Sequence, residues 1–250
     1  MKALITGASS GIGKEMARVL SNMGYDLILV ARRKNKLEEL KKELSTEVKI
    51  INLDISSTFN CMKLYDKVKK DNIDILINNA GFGLIGNFSE TSIDRELDMI
   101  DTNIKAVHIL TKLFLQDFIK KDKGYILNVS SSASFLAGPL MSTYYATKNY
   151  VTRLTEAIYE ELRREHSNVY IGVLCPGPVD TEFNSVANTN FSLKGLSAKY
   201  VADYAIKKMF QKKLIIVPGI KIKFACSMNK FIPRKLLLKI TYNIQKKKEG

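Results

Sequence analysis

The sequence predicts a doubly wound α/β fold: one parallel sheet with helices on both faces. Short runs rich in Val, Ile and Leu alternate with longer stretches of helical periodicity along most of the chain, which is the pattern of successive βαβ units. A glycine-rich turn, Thr6-Gly7-Ala8-Ser9-Ser10-Gly11-Ile12-Gly13, stands between the first such run and the first helical stretch. No repeat, linker or low-complexity segment interrupts the rhythm, and 250 residues suit a one-domain α/β protein.

Taken in order, residues 3–6, 26–30, 49–53, 73–77, 125–129, 169–174 and 214–217 read as strands, about seven in all. Helical periodicity covers 12–23, 36–44, 58–71, 93–120, 144–165 and 198–212. Sheets of this kind bind ligands beyond the carboxyl ends of their strands. The polar, weakly periodic stretch 179–196 is read as a movable lid. Residues 1–217 are expected to form the folded body, and 218–250 a basic amphipathic extension rather than an independent domain.

Composition excludes several classes. With 46% apolar and 26% charged residues the chain is globular rather than disordered. Cys61, Cys175 and Cys226 are widely spaced and form no CxxC pair, which fits a reducing cytoplasm. A first strand opening at Ala3 leaves no room for an export signal, and no apolar run reaches the roughly 18 residues that span a bilayer. A cytoplasmic location is expected. The net charge of +14 is local: residues 207–250 hold 13 Lys or Arg against Glu249, while the preceding 206 residues are nearly neutral.

The glycine turn has a chemical reading. Glycines allow the tight turn and the close approach of a pyrophosphate, and the helix N-terminus offers free N–H groups and partial positive charge. Gly7, Ser9, Ser10, Gly11, Ile12 and Gly13 are therefore candidate dinucleotide contacts in a Rossmann-type fold. About 20 residues on, where an NAD site places an acid on the ribose, the chain has Ala31-Arg32-Arg33. Arg32, with Arg33 beside it and Ser9 adding a hydroxyl, suits a 2′-phosphate, so NADP(H) is the expected cofactor. The competing reading leaves both arginines solvated at a helix start.

With these residues in view, the chain resembles the short-chain dehydrogenase/reductase family, in its short one-domain branch, over about residues 1–217. The TGxxxGxG string is followed by Asp54-Ile55 after the third strand, which the resemblance places at the adenine, and by Asn78-Asn79-Ala80-Gly81 after the fourth, bordering the cofactor. Tyr144 and Lys148 form a YxxxK pair on one helix face, and Ser131 stands 13 residues before the tyrosine. Tyr145 is a rival, but the residue four positions on is Asn149.

Reducing a carbonyl requires hydride at carbon and a proton at the oxygen. Bringing a tyrosine from its ordinary pKa of about 10 to neutrality takes roughly 4 kcal/mol. A lysine ammonium about 4 Å away at an effective dielectric near 20 supplies about that much. By resemblance, Tyr144 gives the proton, Ser131 bonds the substrate oxygen, and Lys148 holds the nicotinamide ribose. Asn103 matches the family asparagine that supports a water relay to Lys148, and Pro176, Gly177, Val179 and Thr181 match the loop around the nicotinamide amide.

The expected activity is thus an NADPH-dependent oxidoreductase acting on a small-molecule carbonyl or alcohol. The alternative is an NADPH-binding sensor or scaffold attached to membrane or nucleic acid through the tail. Phe82, Leu84, Leu136, Met141 and Phe183 are expected near the substrate, leaving fatty acyl, steroid-like and small ketone classes open. His108 and His166 lack partners at metal-ligand spacing, so no metal is expected, and no GxSxG elbow supports a hydrolase. The long fourth and fifth helices resemble those that join family homo-oligomers. In the tail, Leu236, Leu237, Ile240 and Ile244 recur at helical spacing with lysines between them. That face is expected to pack on the body or a partner subunit, with a membrane surface as the second reading and nucleic acid, lacking any reading motif, a distant third.

Overall fold

The computed structural model describes residues 1–183 and 195–246, so most of the expected lid lies outside the described residues. Seven parallel strands form one sheet in the order β3-β2-β1-β4-β5-β6-β9. They are β1 (Lys2–Thr6), β2 (Asp26–Ala31), β3 (Val48–Asn52), β4 (Ile75–Asn78), β5 (Tyr125–Val129), β6 (Tyr170–Leu174) and β9 (Ile215–Ile216). Two short strands, β7 (Val179–Asp180) and β8 (Leu196–Ser197), pair apart from it.

The sheet is buried on both faces, as the apolar strands demand. In β1 and β2, Ala3, Ile5, Leu27 and Leu29 point one way and pack against Met16, Leu20, Leu37, Leu40, Val201 and Ala205. These partners come from α1 (Gly11–Asn22), α2 (Lys34–Glu43) and α7 (Ala198–Phe210). Leu4, Ile28 and Val30 point the other way, onto Leu64, Phe114, Phe118 and Leu162, from α3 (Thr58–Val68), α5 (Val107–Lys121) and α6 (Ser142–Arg164). Strand order reverses between β1 and β4. That switch point opens the crevice described below.

Two departures from the sequence expectation concern helices. The stretch expected as one helix over 93–120 is α4 (Ile93–Ile100), a π turn over Asp101–Ala106, and α5, where tertiary hydrogen bonds of Asn103 outweigh uniform helical geometry. Beyond β9 lie α8 (Ile220–Met228), which the Lys-Ile-Lys-Phe alternation hides, and α9 (Arg234–Lys246). Of the surfaces expected to cover the apolar face of the tail, the body covers little: Thr241 and Gln245 are buried, while Leu236, Ile240 and Ile244 are exposed. Among the described residues no helix is long and apolar enough to cross a membrane.

Phe114 is 2% exposed and meets Tyr65 edge-on at 5.4 Å between ring centroids. Phe114→Ala should lower unfolding free energy by about 3–5 kcal/mol in urea denaturation; a loss under about 1 kcal/mol would mean that this face collapses around the gap.

Candidate active site

The glycine turn is locked to the end of β4. Gly7 and Gly11 have φ of +65° and +54°, a backbone that L side chains rarely adopt. A Cβ on Gly7 would come within 2.8 Å of Ala80 Cα, and one on Gly13 would overlap Asn79 Nδ2. The Thr6 hydroxyl accepts the N–H groups of Asn79 (3.0 Å) and Ala80 (3.1 Å). Asn79 Nδ2 in turn donates to the carbonyls of Thr6 (3.0 Å) and Gly7 (3.1 Å). Gly7, Ser9, Ser10, Gly11 and Ile12 line a cleft of about 760 Å³. Gly13 sits behind them against Asn79, where only a hydrogen fits.

At one end of the cleft the two arginines take different partners. Arg33 donates to the Ser9 hydroxyl at 3.2 Å and pairs with Glu182 at 2.8 Å. Arg32 lies 3.7 Å from Asp54 with its side chain 69% exposed. Asn52, at the end of β3, donates to the carbonyls of Ala31 and Arg32 and so holds this turn, a positioning role that no local motif announces. Asp54 accepts the N–H of Ser56 at 3.0 Å, and Ile55 is buried behind it.

At the centre, β5 delivers Ser130 and Ser131. The Ser130 hydroxyl donates to the Lys148 carbonyl at 2.8 Å and accepts from the Thr152 hydroxyl at 2.9 Å, pinning α6 to the sheet. The Ser131 hydroxyl caps the short helix Ser132–Phe135 by accepting from Ala133 at 3.1 Å. Lys148 Nζ donates to the Val129 carbonyl at 3.1 Å. Ser131, Tyr144 and Lys148 all line the cleft, as do Ala80, Gly81, Arg32, Arg33, Asp54, Ile55, Asn79, Pro176, Gly177, Val179 and Thr181.

The electrostatics differ from the expectation that Lys148 brings the phenol toward neutrality. Burial pushes the Tyr144 phenol up, opposed by the neighbouring Ser131 hydroxyl. Burial also brings the Lys148 ammonium down to about 8. Nζ lies 5.9 Å from the centroid of the tyrosine ring. Desolvation therefore outweighs the attraction between the two groups.

Asn103, on the π turn, is fully buried and does not line the cleft. Its Nδ2 donates to the Phe82 carbonyl (2.9 Å) and the Thr147 hydroxyl (3.1 Å), and its Oδ1 accepts from Phe82 N–H (3.1 Å). A Cβ at Gly81 would lie 2.8 Å from Asn103 Oδ1 and 3.2 Å from Lys148 Nζ. Only a glycine lets the amide and the ammonium both come this close to the backbone there.

The far end of the cleft is apolar. Phe82, Met141 and Phe183 line it as expected, whereas Leu84 and Leu136 belong to the same apolar cluster without reaching the cleft. Tyr145, Ile222, Ala225 and Ile244 also line it. Three of these come from the C-terminal extension, whose amphipathic periodicity signals a helix but not its destination. Gln245 Nε2 donates to the Tyr145 hydroxyl and anchors α9 beside the tyrosine pair.

Residues 1–191 match the family described as short chain dehydrogenase. An uncharacterised oxidoreductase of Staphylococcus epidermidis is 30% identical over 224 residues, covering 88% of this chain and 96% of that protein. The human very-long-chain 3-oxoacyl-CoA reductase is 32% identical over 194 residues, 74% of this chain and 61% of that longer protein. A short-chain dehydrogenase from Sphingobium yanoikuyae in complex with NADPH superposes with a TM-score of 0.84 at 28% identity, over 92% of both chains. One from Burkholderia phymatum in complex with NAD gives 0.84 at 24% identity, again over 92% of both, which speaks to the fold alone. The cleft fits a nicotinamide dinucleotide: the glycine cradle leaves room only for hydrogen at Gly7 and Gly13, and the first turn of α1 holds no acid that would repel a pyrophosphate.

A buried lysine whose ammonium titrates near 8 rather than at its ordinary 10.5 penalises the folded state while both states are protonated. The penalty fades as pH rises between those values, because there the unfolded chain binds the extra proton. Protein free of cofactor should therefore gain stability relative to Lys148→Met as pH rises from about 8 toward 10.5. Urea denaturation of both proteins across that window checks this, and a constant difference would mean that the ammonium is solvated.

Proposed function

The chain belongs to the short-chain dehydrogenase family, and from that footing we propose that it is an NADPH-dependent oxidoreductase that reduces a ketone or aldehyde to an alcohol, with Tyr144 as proton donor. The observation that carries this reading is the meeting of the Tyr144 phenol, the Ser131 hydroxyl and the Lys148 ammonium in one cleft that runs on to the glycine turn and the arginines. Bound NADPH supplies a hydride to the carbonyl carbon. Ser131 orients the substrate oxygen, and Tyr144 passes its phenolic proton to that oxygen. A phenol raised by burial stays protonated at neutral pH, and the far more basic alkoxide developing on the substrate still takes its proton. Lys148 and Tyr144 would hold the nicotinamide ribose, and Asn103 serves as the accessory that keeps the backbone at Phe82 in place. Pro176, Gly177, Val179 and Thr181 border the nicotinamide.

Two basic side chains at the end of β2 support NADPH over NADH, with Arg32 and Arg33 facing the 2′-phosphate and Ser9 beside them. The apolar walls support a substrate with a hydrophobic body, in keeping with the human reductase that the chain resembles over part of its length. Ile119 on α5 and Tyr150 on α6 are exposed and support association of copies through those helices.

Tyr144→Phe should keep NADPH binding and lose turnover by about 10²–10⁴-fold, followed as NADPH absorbance against ketones and aldehydes of graded size. Turnover equal to wild type would remove the phenol from the reaction. Arg32→Asp should shift the ratio of kcat/KM for NADPH over NADH by about tenfold or more toward NADH, the worth of a charged hydrogen bond. An unchanged ratio would reject the phosphate contact.

A further inference from the structure

The two fully buried side chains of helix α9 are polar, while most of its apolar ones are exposed alongside its lysines. Thr241 and Gln245, four residues apart, turn to the body at 3% and 1% exposure. Leu236, Ile240 and Ile244, spaced four and four, form a stripe at 50%, 40% and 49% exposure. In water the hydrophobic effect favours the opposite orientation. The hydrogen bond from Gln245 to Tyr145 and the seat of Ile244 at the cleft hold the helix this way round. Its neighbour α8 buries no side chain fully: Ile222 rests near Gly177, while Ile220 and Phe224 point to solvent. Among the described residues, nine of the twenty exposed large apolar side chains fall between Ile220 and Ile244. Lysines and Arg234 are interspersed, and from residue 207 to the end the single acid is Glu249.

An apolar stripe among cations matches an anionic lipid surface, where aliphatic and aromatic side chains enter the headgroup boundary and lysines meet phosphates. A second copy of the chain fits less well, because the same face would bring like charges together. We infer that α8 and α9 dock on an anionic bilayer surface and turn the apolar end of the cleft toward it. Ile222, Ala225 and Ile244 of these helices form part of the cleft wall, so the docked protein draws a lipophilic carbonyl compound from the bilayer. This last step rests on the reductase reading; the docking itself does not.

Flotation of the full chain with vesicles of phosphatidylcholine alone, or equimolar phosphatidylcholine and phosphatidylglycerol, tests the docking. The protein should float with the anionic vesicles and stay behind with the neutral ones. Lys235→Glu with Lys239→Glu, and separately Leu236→Ser with Ile240→Ser, should each reduce the bound fraction by about tenfold, while turnover of a small water-soluble ketone stays unchanged. No flotation, equal flotation on both vesicles, or variants that float like wild type would overturn the inference. So would a lipid-free dimer in sedimentation velocity that Leu236→Ser with Ile240→Ser dissolves, since the stripe would then belong to a second copy. A chain that floats on anionic vesicles yet oxidises no NADPH with any carbonyl supports the docking and removes the reductase reading.

Discussion

The hydroxyl of Thr6 accepts two backbone N–H groups from the β4 loop, and the side chain of Asn79 returns two hydrogen bonds to the carbonyls of the glycine turn. These four bonds close the switch point of the sheet, where β1 and β4 part company. They satisfy backbone groups that leave the parallel ladder with no partner of their own, and they bring two loops so close that Gly7 and Gly13 admit no side chain. The position of α1, the aim of its N-terminal N–H groups and the floor of the cleft follow from that closure.

On the other side of the switch point a buried polar lattice does similar work. Asn78 donates to Thr111 and Asn128, and Asn128 donates to Thr155, joining β4 and β5 to α5 and α6. Ser130 and Thr152 extend the join to the carbonyl of Lys148. Tyr144 and Lys148 are consequently held in a dry place, and dryness governs their chemistry: each is driven toward its neutral form. A simple pairwise estimate with an ammonium at contact distance omits this desolvation, which is the larger effect here.

What the sequence makes legible is what depends on local spacing. The glycine turn, the YxxxK pair with its upstream serines and the two arginines are short patterns whose backbone setting follows from alternating strands and helices, and they meet in one cleft. Contacts between distant segments leave no such mark. Gln245 reaches Tyr145 across 100 residues, and Asn52 steadies Arg32 from a neighbouring strand. Helical spacing marks the apolar stripe of α9 but not the direction it faces, because spacing shows only that Leu236, Ile240 and Ile244 share a side and is silent about what lies opposite them. The two-residue alternation of Lys221-Ile222-Lys223-Phe224 likewise conceals α8, whose side chains are too exposed for burial to impose a helical pattern.

The ion pair between Arg33 and Glu182 joins the two rims of the cleft, one at the end of β2 and the other just past β7. Both side chains are partly exposed, so the pair itself adds little to folding, about 0–1 kcal/mol. Its effect is better seen as a counter-ion kept in reserve. The guanidinium already faces a carboxylate, so any anion that binds Arg33 from the cleft competes with Glu182 for it. That competition couples the charge at the end of β2 to the opposite rim.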